Sequence, residues 1–246
     1  MDITPLEVVP PDPPWSSQSI KTETDLLLKT NKNMPDKIIK QIANTTISQR
    51  YENHIEIYTD GSRCQHQNSV RVAAGIYIPL YNLRLQYRLD EYHSIMIAEL
   101  FSIYKALVWI DRNLRAGKIV ILCDSKAAIL SLETNCIESN LAYDCLSLSK
   151  QLIDNGFEII IQWTPSHVGI KGNKIVDKIA KQAKQLPEIT WLSPCYADIK
   201  NLIAKKNNSI LQKNGKQLKQ MNSLEIINHI GDLEPMKIKQ TEKQRL

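Results

Sequence analysis

QWTPSHVGIKGNKIVD, residues 162–177, passes from a strand-like run through a loop into a helix. Ile159-Ile160-Ile161-Gln162-Trp163 has strand character and stops at Thr164-Pro165. Gly169 and Gly172 mark a loop that carries His167, and a helix is predicted to begin near Asn173 with Asp177 in its first turn. A loop histidine ten residues before a helical carboxylate suits a metal-dependent hydrolase. The carboxylate would hold an ion while the imidazole lies near a reacting phosphate. Each residue also has a plainer use, since a loop histidine is commonly a surface residue and a first-turn Asp complements the helix dipole. Three further carboxylates, Asp60, Glu99 and Asp124, each stand at the start or end of a predicted element, and they strengthen the catalytic reading.

Working outward, Ile55–Thr59 alternates as a strand and runs into Asp60-Gly61-Ser62, a turn-like sequence. Val70–Pro79 and Asn82–Leu89 read as two more strands, with only Leu80 and Tyr81 between them, so an antiparallel hairpin is expected. Ser94–Arg115 is the longest predicted helix; between Ile95 and Ile110 its only charged residues are Glu99 and Lys105, so most of it should be buried. Lys118–Cys123 is a fourth strand ending at Asp124. Helices over Ser125–Leu132 and Asn140–Asp154, a fifth strand over Phe157–Trp163 and a last helix over Asn173–Leu186 complete the series. The order is three strands, a helix, a strand, two helices, a strand and a helix. That order predicts an α/β fold with a mixed five-stranded sheet, its first three strands antiparallel, and helices on both faces.

The flanks differ from this core. Residues 1–53 read as an irregular linker, proline-rich at the start, with a short helix over Asp36–Gln49. Residues 187–246 read as a basic, partly helical extension, with helices expected over Tyr196–Lys206 and Leu218–Ile230. From Lys200 to Leu246 there are ten Lys or Arg and four Asp or Glu, whereas the other 199 residues hold 21 and 22. The formal net charge of +5 is thus a property of the tail. No apolar run is long enough to span a bilayer, and the acidic, proline-bearing opening does not have the pattern of a secretory leader. The five cysteines include no CxxC pair, which argues against a zinc site or a disulfide framework and for a reducing, intracellular setting.

If the strands before Asp60 and Asp124 are parallel neighbours, those carboxylates stand side by side, with Glu99 on the helix that crosses the same sheet. Clustered acids repel one another, and burial raises their pKa unless cations are present. Oxygen ligands on rigid elements suit Mg²⁺. Two such ions about 3.5–4 Å apart can activate a water and neutralise the leaving oxygen of a phosphodiester.

The series YTDGS, AEL, CDS and SHVGIKGNKIVD, in that order between His54 and Leu186, closely resembles type 1 ribonuclease H. AELFSIYKAL, QWTPSHVGIKGN and the opening PLEVVPPDPPW are similar to the ribonuclease H domains of non-LTR retrotransposon polyproteins. The resemblance implies cleavage of the RNA strand of an RNA–DNA hybrid, leaving a 3′-hydroxyl and a 5′-phosphate. It implies two Mg²⁺ ions, with Mn²⁺ as a substitute, held by Asp60, Glu99, Asp124 and Asp177, and His167 as an auxiliary catalytic residue. The chain is expected to be a monomer, and either a fragment of a larger reverse-transcriptase polyprotein or a domesticated remnant.

Several residues depart from the family pattern. Lys174 stands where many relatives have Glu, Val176 replaces a small residue, and Ile95-Met96-Ile97 stands where cellular enzymes often carry asparagines that read the minor groove. No basic, Trp-bearing protrusion lies between Asn135 and Gly156. Hybrid binding is therefore expected to use backbone amides near Gly61 and Ser62, together with Ser125, Lys126 and the tail. Two other readings are a non-catalytic, retroelement-derived module that binds nucleic acid or a partner, and a polynucleotidyl transferase of the same fold. The latter needs fewer acids and usually a terminal Glu. Deleting Lys200–Leu246 is expected to weaken hybrid binding and flatten its dependence on salt, which a titration over a range of NaCl concentrations would reveal.

Overall fold

Ile119–Cys123 and Ile159–Ile161 are each almost wholly buried, as strands covered on both sheet faces must be. They belong to two central strands of the computed structural model, which describes residues 20–206 apart from 32, 67, 68, 134–138, 197, 201 and 205. The chain divides into two compact units, Met1–Tyr196 and Ala197–Leu246. In the second unit, positions 198–200, 202–204 and 206 are helical, and the expected helix over Leu218–Ile230 lies outside the described residues.

The first unit contains β1 (Lys21–Glu23), α1 (Asp25–Lys29), α2 (Asp36–Arg50), β2 (Ile55–His66), β3 (Ser69–Ile78), β4 (Leu83–Leu89), α3 (Ile95–Asn113), β5 (Gly117–Cys123), α4 (Lys126–Glu133), α5 (Asn140–Asp154), β6 (Phe157–Trp163) and α6 (Lys171–Ala183). The sheet order is β1-β6-β5-β2-β3-β4. β2, β3 and β4 form the expected antiparallel meander, while β2, β5, β6 and β1 run parallel. A 3₁₀ turn over Pro79–Tyr81, with Asn82 in the left-handed region, joins β3 to β4. The mixed α/β sheet with helices on both faces matches the expectation.

Four details correct it. The sheet has six strands rather than five, because Lys21–Glu23 pairs with Ile160–Gln162. This segment reads as irregular in sequence, being only three residues long, and gains its structure from the edge of β6. Second, TDGS is not a turn: β2 continues through Asp60, Gly61 and Ser62 to His66, since Gly75, Ala74 and Ala73 of β3 supply ladder partners. Third, α6 starts at Lys171, with Gly172 inside the helix, where a side chain would collide with the Tyr58 ring. Fourth, neither α3 nor α6 has an acid in its first turn, so Glu99 and Asp177 lie one turn deeper than their sequences suggest. Complementing the helix dipole thus loses force as their explanation.

Two apolar clusters sandwich the sheet. On one face α3, α4 and α5 cover Ile57, Ile76, Ile121 and Ile161. On the other, Leu26, Ala43, Ile47 and Tyr51 from the N-terminal segment meet Val120, Leu122 and Ile160, beside Val176 of α6. Gly75 allows α6 to cross β3 closely. A Cβ there would lie 2.8 Å from the backbone nitrogen of Ala180 and 3.1 Å from the carbonyl oxygen of Val176. Because Gly75 is the ladder partner of Asp60, this crossing sets how near Asp177 comes to Asp60. Gly75→Ala is expected to lower stability by about 1–3 kcal/mol through overpacking against backbone that cannot move aside, which urea unfolding would measure.

Candidate active site

The register of β2 on β5 pairs Thr59 with Cys123, so Asp60, within β2, and Asp124, just past the end of β5, stand side by side. Glu99 approaches from α3, whose N-terminus is capped by the Ser94 hydroxyl accepting from Ile97 N–H at 3.2 Å. Gly61 makes this approach possible: a Cβ there would lie 2.7 Å from the backbone nitrogen of Glu99 and 3.0 Å from its Cγ and Cδ. One oxygen from each of Asp60, Glu99 and Asp124 lies within 4.8 Å of the others. Asp177 lines the same cleft from α6, and its carboxylate accepts from Lys181 Nζ at 2.7 Å.

Burial is the largest influence on the three clustered acids. It lifts Asp60 to about 8, with further upward pushes from the neighbouring charges of Asp124 and Asp177. Glu99 is pushed well above its ordinary value by burial and then by Asp60 and Asp124, against one opposing backbone hydrogen bond from Gly61. Asp124 is also raised by burial and by Asp177, and His167 opposes the shift. Asp60 Oδ2 and Glu99 Oε2 are buried with no hydrogen-bond partner among the described residues. A buried carboxylate oxygen without a donor is costly, and a divalent cation bound by oxygen donors removes that cost. The residues present therefore fit a hard metal ion.

Hydrogen bonds at the end of β6 hold the surrounding frame. Trp163 Nε1 donates to the Asp124 carbonyl at 3.0 Å. Thr164 N–H donates to the Cys123 carbonyl at 2.9 Å, and Asn173 Nδ2 donates to Thr164 Oγ1 at 2.9 Å. Strand β5, strand β6 and helix α6 are thereby tied together around the acids. His167 is exposed on the intervening loop, lines the cleft and has a φ of 59°, in the left-handed region that a residue with a Cβ enters at some cost.

The cleft thus brings together all five residues predicted to be catalytic, Asp60, Glu99, Asp124, His167 and Asp177. Of the predicted substrate contacts, Gly61 and Ser125 line it, whereas Ser62, only 7% exposed, and Lys126 are not among its lining residues. One contributor escapes a sequence reading, and another is noticed there only as a departure from the family pattern. Trp163 holds the backbone of Asp124, which nothing in the strand pattern discloses. Lys174, noted in the sequence only as a departure, lines the cleft three residues before Asp177, an i, i+3 spacing that puts the two on one helix face.

A family model described as RNase H matches residues 52–185, more than half of the chain. No curated protein matches it.

Metal-free protein should show the strain of this cluster in its stability. Asp60 binds its proton more tightly when folded, near 8, than when unfolded, near 3.8. Its contribution is therefore full at low pH and is lost as pH rises towards 8. His54, whose pKa is lowered by burial, gives an opposite slope near neutrality, so the informative comparison is with a variant. In EDTA, Asp60→Asn is expected to be more stable than wild type at pH 8 by on the order of 2 kcal/mol. The difference should shrink at pH 5, as thermal unfolding at the two pH values would show.

Proposed function

The chain belongs to the RNase H family, and from that premise we propose that it cuts the RNA strand of RNA–DNA hybrids by two-metal-ion catalysis. The observation that carries this reading is the meeting of Asp60, Glu99 and Asp124 oxygens within 4.8 Å, two of these residues having buried oxygens with no donor. Four acids with oxygen donors on rigid elements favour Mg²⁺, with Mn²⁺ as a substitute. When bound, such ions activate a water and neutralise charge on the phosphoryl and leaving oxygens. The catalytic part in this reading is 54–186.

The protein's own side chains divide the work. Asp60, Glu99 and Asp124 would be the first holders of metal. Asp177, paired with Lys181 in the metal-free protein, would complete the set of metal holders. His167, on a loop beside Asp124, transfers a proton at the departing 3′-oxygen and aids product departure. Ile95 and Met96 line the cleft with apolar surface, so groove contacts there rely on shape more than on hydrogen bonds. The sequence likeness around AELFSIYKAL and QWTPSHVGIKGN supports a retroelement type, with this monomeric domain as part of a reverse-transcriptase polyprotein.

A labelled RNA–DNA hybrid incubated with Mg²⁺ tests the proposal. The RNA strand should be cut to 3′-hydroxyl and 5′-phosphate ends while the DNA strand stays whole. Asp60→Asn and Asp124→Asn should each lower kcat on the order of 10³-fold, the loss of several kcal/mol of metal-borne stabilisation. His167→Ala should cost about 10²-fold. Wild type that binds the hybrid yet leaves it whole, under conditions where a control nuclease cuts, would replace this reading with that of a non-catalytic binding module.

A further inference from the structure

Two lysines from different elements converge on the histidine loop. A Cβ built on Gly169 would lie 3.6 Å from Lys174 Cε, 3.7 Å from Lys174 Nζ and 3.8 Å from Lys40 Cδ. Lys174 belongs to α6 and lines the cleft, while Lys40 belongs to α2. Both are exposed, and among the described residues neither makes an ion pair. By contrast Lys181, on the same helix as Lys174, is held by Asp177.

We infer that Lys40 and Lys174 form an anchoring subsite for a backbone phosphate of the bound nucleic acid, on the His167 side of the cleft. Lys174 Nζ and the side-chain stem of Lys40 both approach Gly169, and an anion bound there attracts both ammonium groups. A phosphodiester is such an anion, and lysine binds phosphate as a point charge needing no fixed geometry. The inference rests on the proposal that the cleft takes a hybrid duplex. It adds that part of the substrate interface comes from α2, outside the family-matched residues 52–185. The buried Tyr51 hydroxyl donating to Gln162 Oε1 at 2.6 Å, and Arg50 Nη2 donating to Asp25 Oδ2 at 2.7 Å, anchor the end of that helix.

The test uses the full chain and a fluorescently labelled RNA–DNA hybrid in EDTA, where binding is measured without cleavage. Lys40→Ala and Lys174→Ala should each weaken binding roughly 5–10-fold at about 0.1 M salt and lower the slope of log affinity against log salt by about 0.9. Because both lysines serve one phosphate, the double variant should lower the slope by about 0.9 in all, no more than one phosphate accounts for, and its unfolding midpoint should match wild type. Lys118→Ala, whose lysine pairs with Glu158, serves as a control and should leave the slope unchanged. In Mg²⁺ the lysine variants should raise KM and preserve kcat. A double variant with the wild-type slope overturns the inference, as does a wild type that does not bind the hybrid. A wild type that binds but does not cut sinks the proposed activity instead, and the slopes still decide the role of the lysines.

Discussion

Mutual repulsion among buried carboxylates is the constraint on which the rest of the structure depends. Asp60 and Glu99 are 7% and 6% exposed, and left to themselves such acids would take up protons or swing apart. In the metal-free protein Asp60 does take up a proton below about pH 8, but none of the three clustered acids can swing apart cheaply. Asp60 lies in a strand paired on both sides, Glu99 is one turn inside a buried helix, and Asp124 follows a buried strand. The fold therefore holds its carboxyl groups together against their preference once they ionise, and the energy that opposes them comes from apolar contacts on both sheet faces. Preorganisation of this kind is what a metal site requires, because the ligands then need little rearrangement when an ion arrives.

The end of β6 transmits that rigidity. Gln162, wholly buried, donates through Nε2 to the Glu23 carbonyl at 3.1 Å and receives the Tyr51 hydroxyl. Its neighbour Trp163 grips the backbone of Asp124, and Thr164 links Cys123 to Asn173. Three consecutive residues thus join the N-terminal segment, the second aspartate and the last helix. Arg50 deepens the attachment: with Lys29 and Gln162 it brings the Asp25 carboxyl down to about 2, against the upward pull of burial, so that side chain is ionised across the physiological range.

The core was legible wherever residue type and period agreed. Alternation in IEIYT, the apolar runs KIVILC and FEIII, and the nearly uncharged length of α3 each correspond to an observed element. From these the parallel pairing that sets Asp60 beside Asp124 could be anticipated. Legibility failed where tertiary partners override local preference. Asp-Gly-Ser has the composition of a turn, yet β3 pairs with it throughout. Lys171 and Gly172 precede the expected helix start, but the helix extends to them because the glycine fits over Tyr58. Lys21–Glu23 carries no strand signal and becomes one because β6 offers an edge. Within the site, acids announce themselves by type and spacing; a lysine drawn beside a loop by a distant helix does not.

Strand β1 also imposes an order of events on the growing polypeptide. Its partner Ile160 lies well over a hundred residues downstream of Lys21, and Gln162 reaches back 139 residues to the Glu23 carbonyl. A ribosome adding about 5–20 residues per second releases the first strand several seconds before the surface that receives it exists. Until then Leu26, Ile47 and Tyr51 have no sheet to cover, and the sheet when it forms has an open edge. The sequence-distant closure belongs among the slow steps of folding, and it makes Lys21–Glu23 wait for a strand synthesised much later.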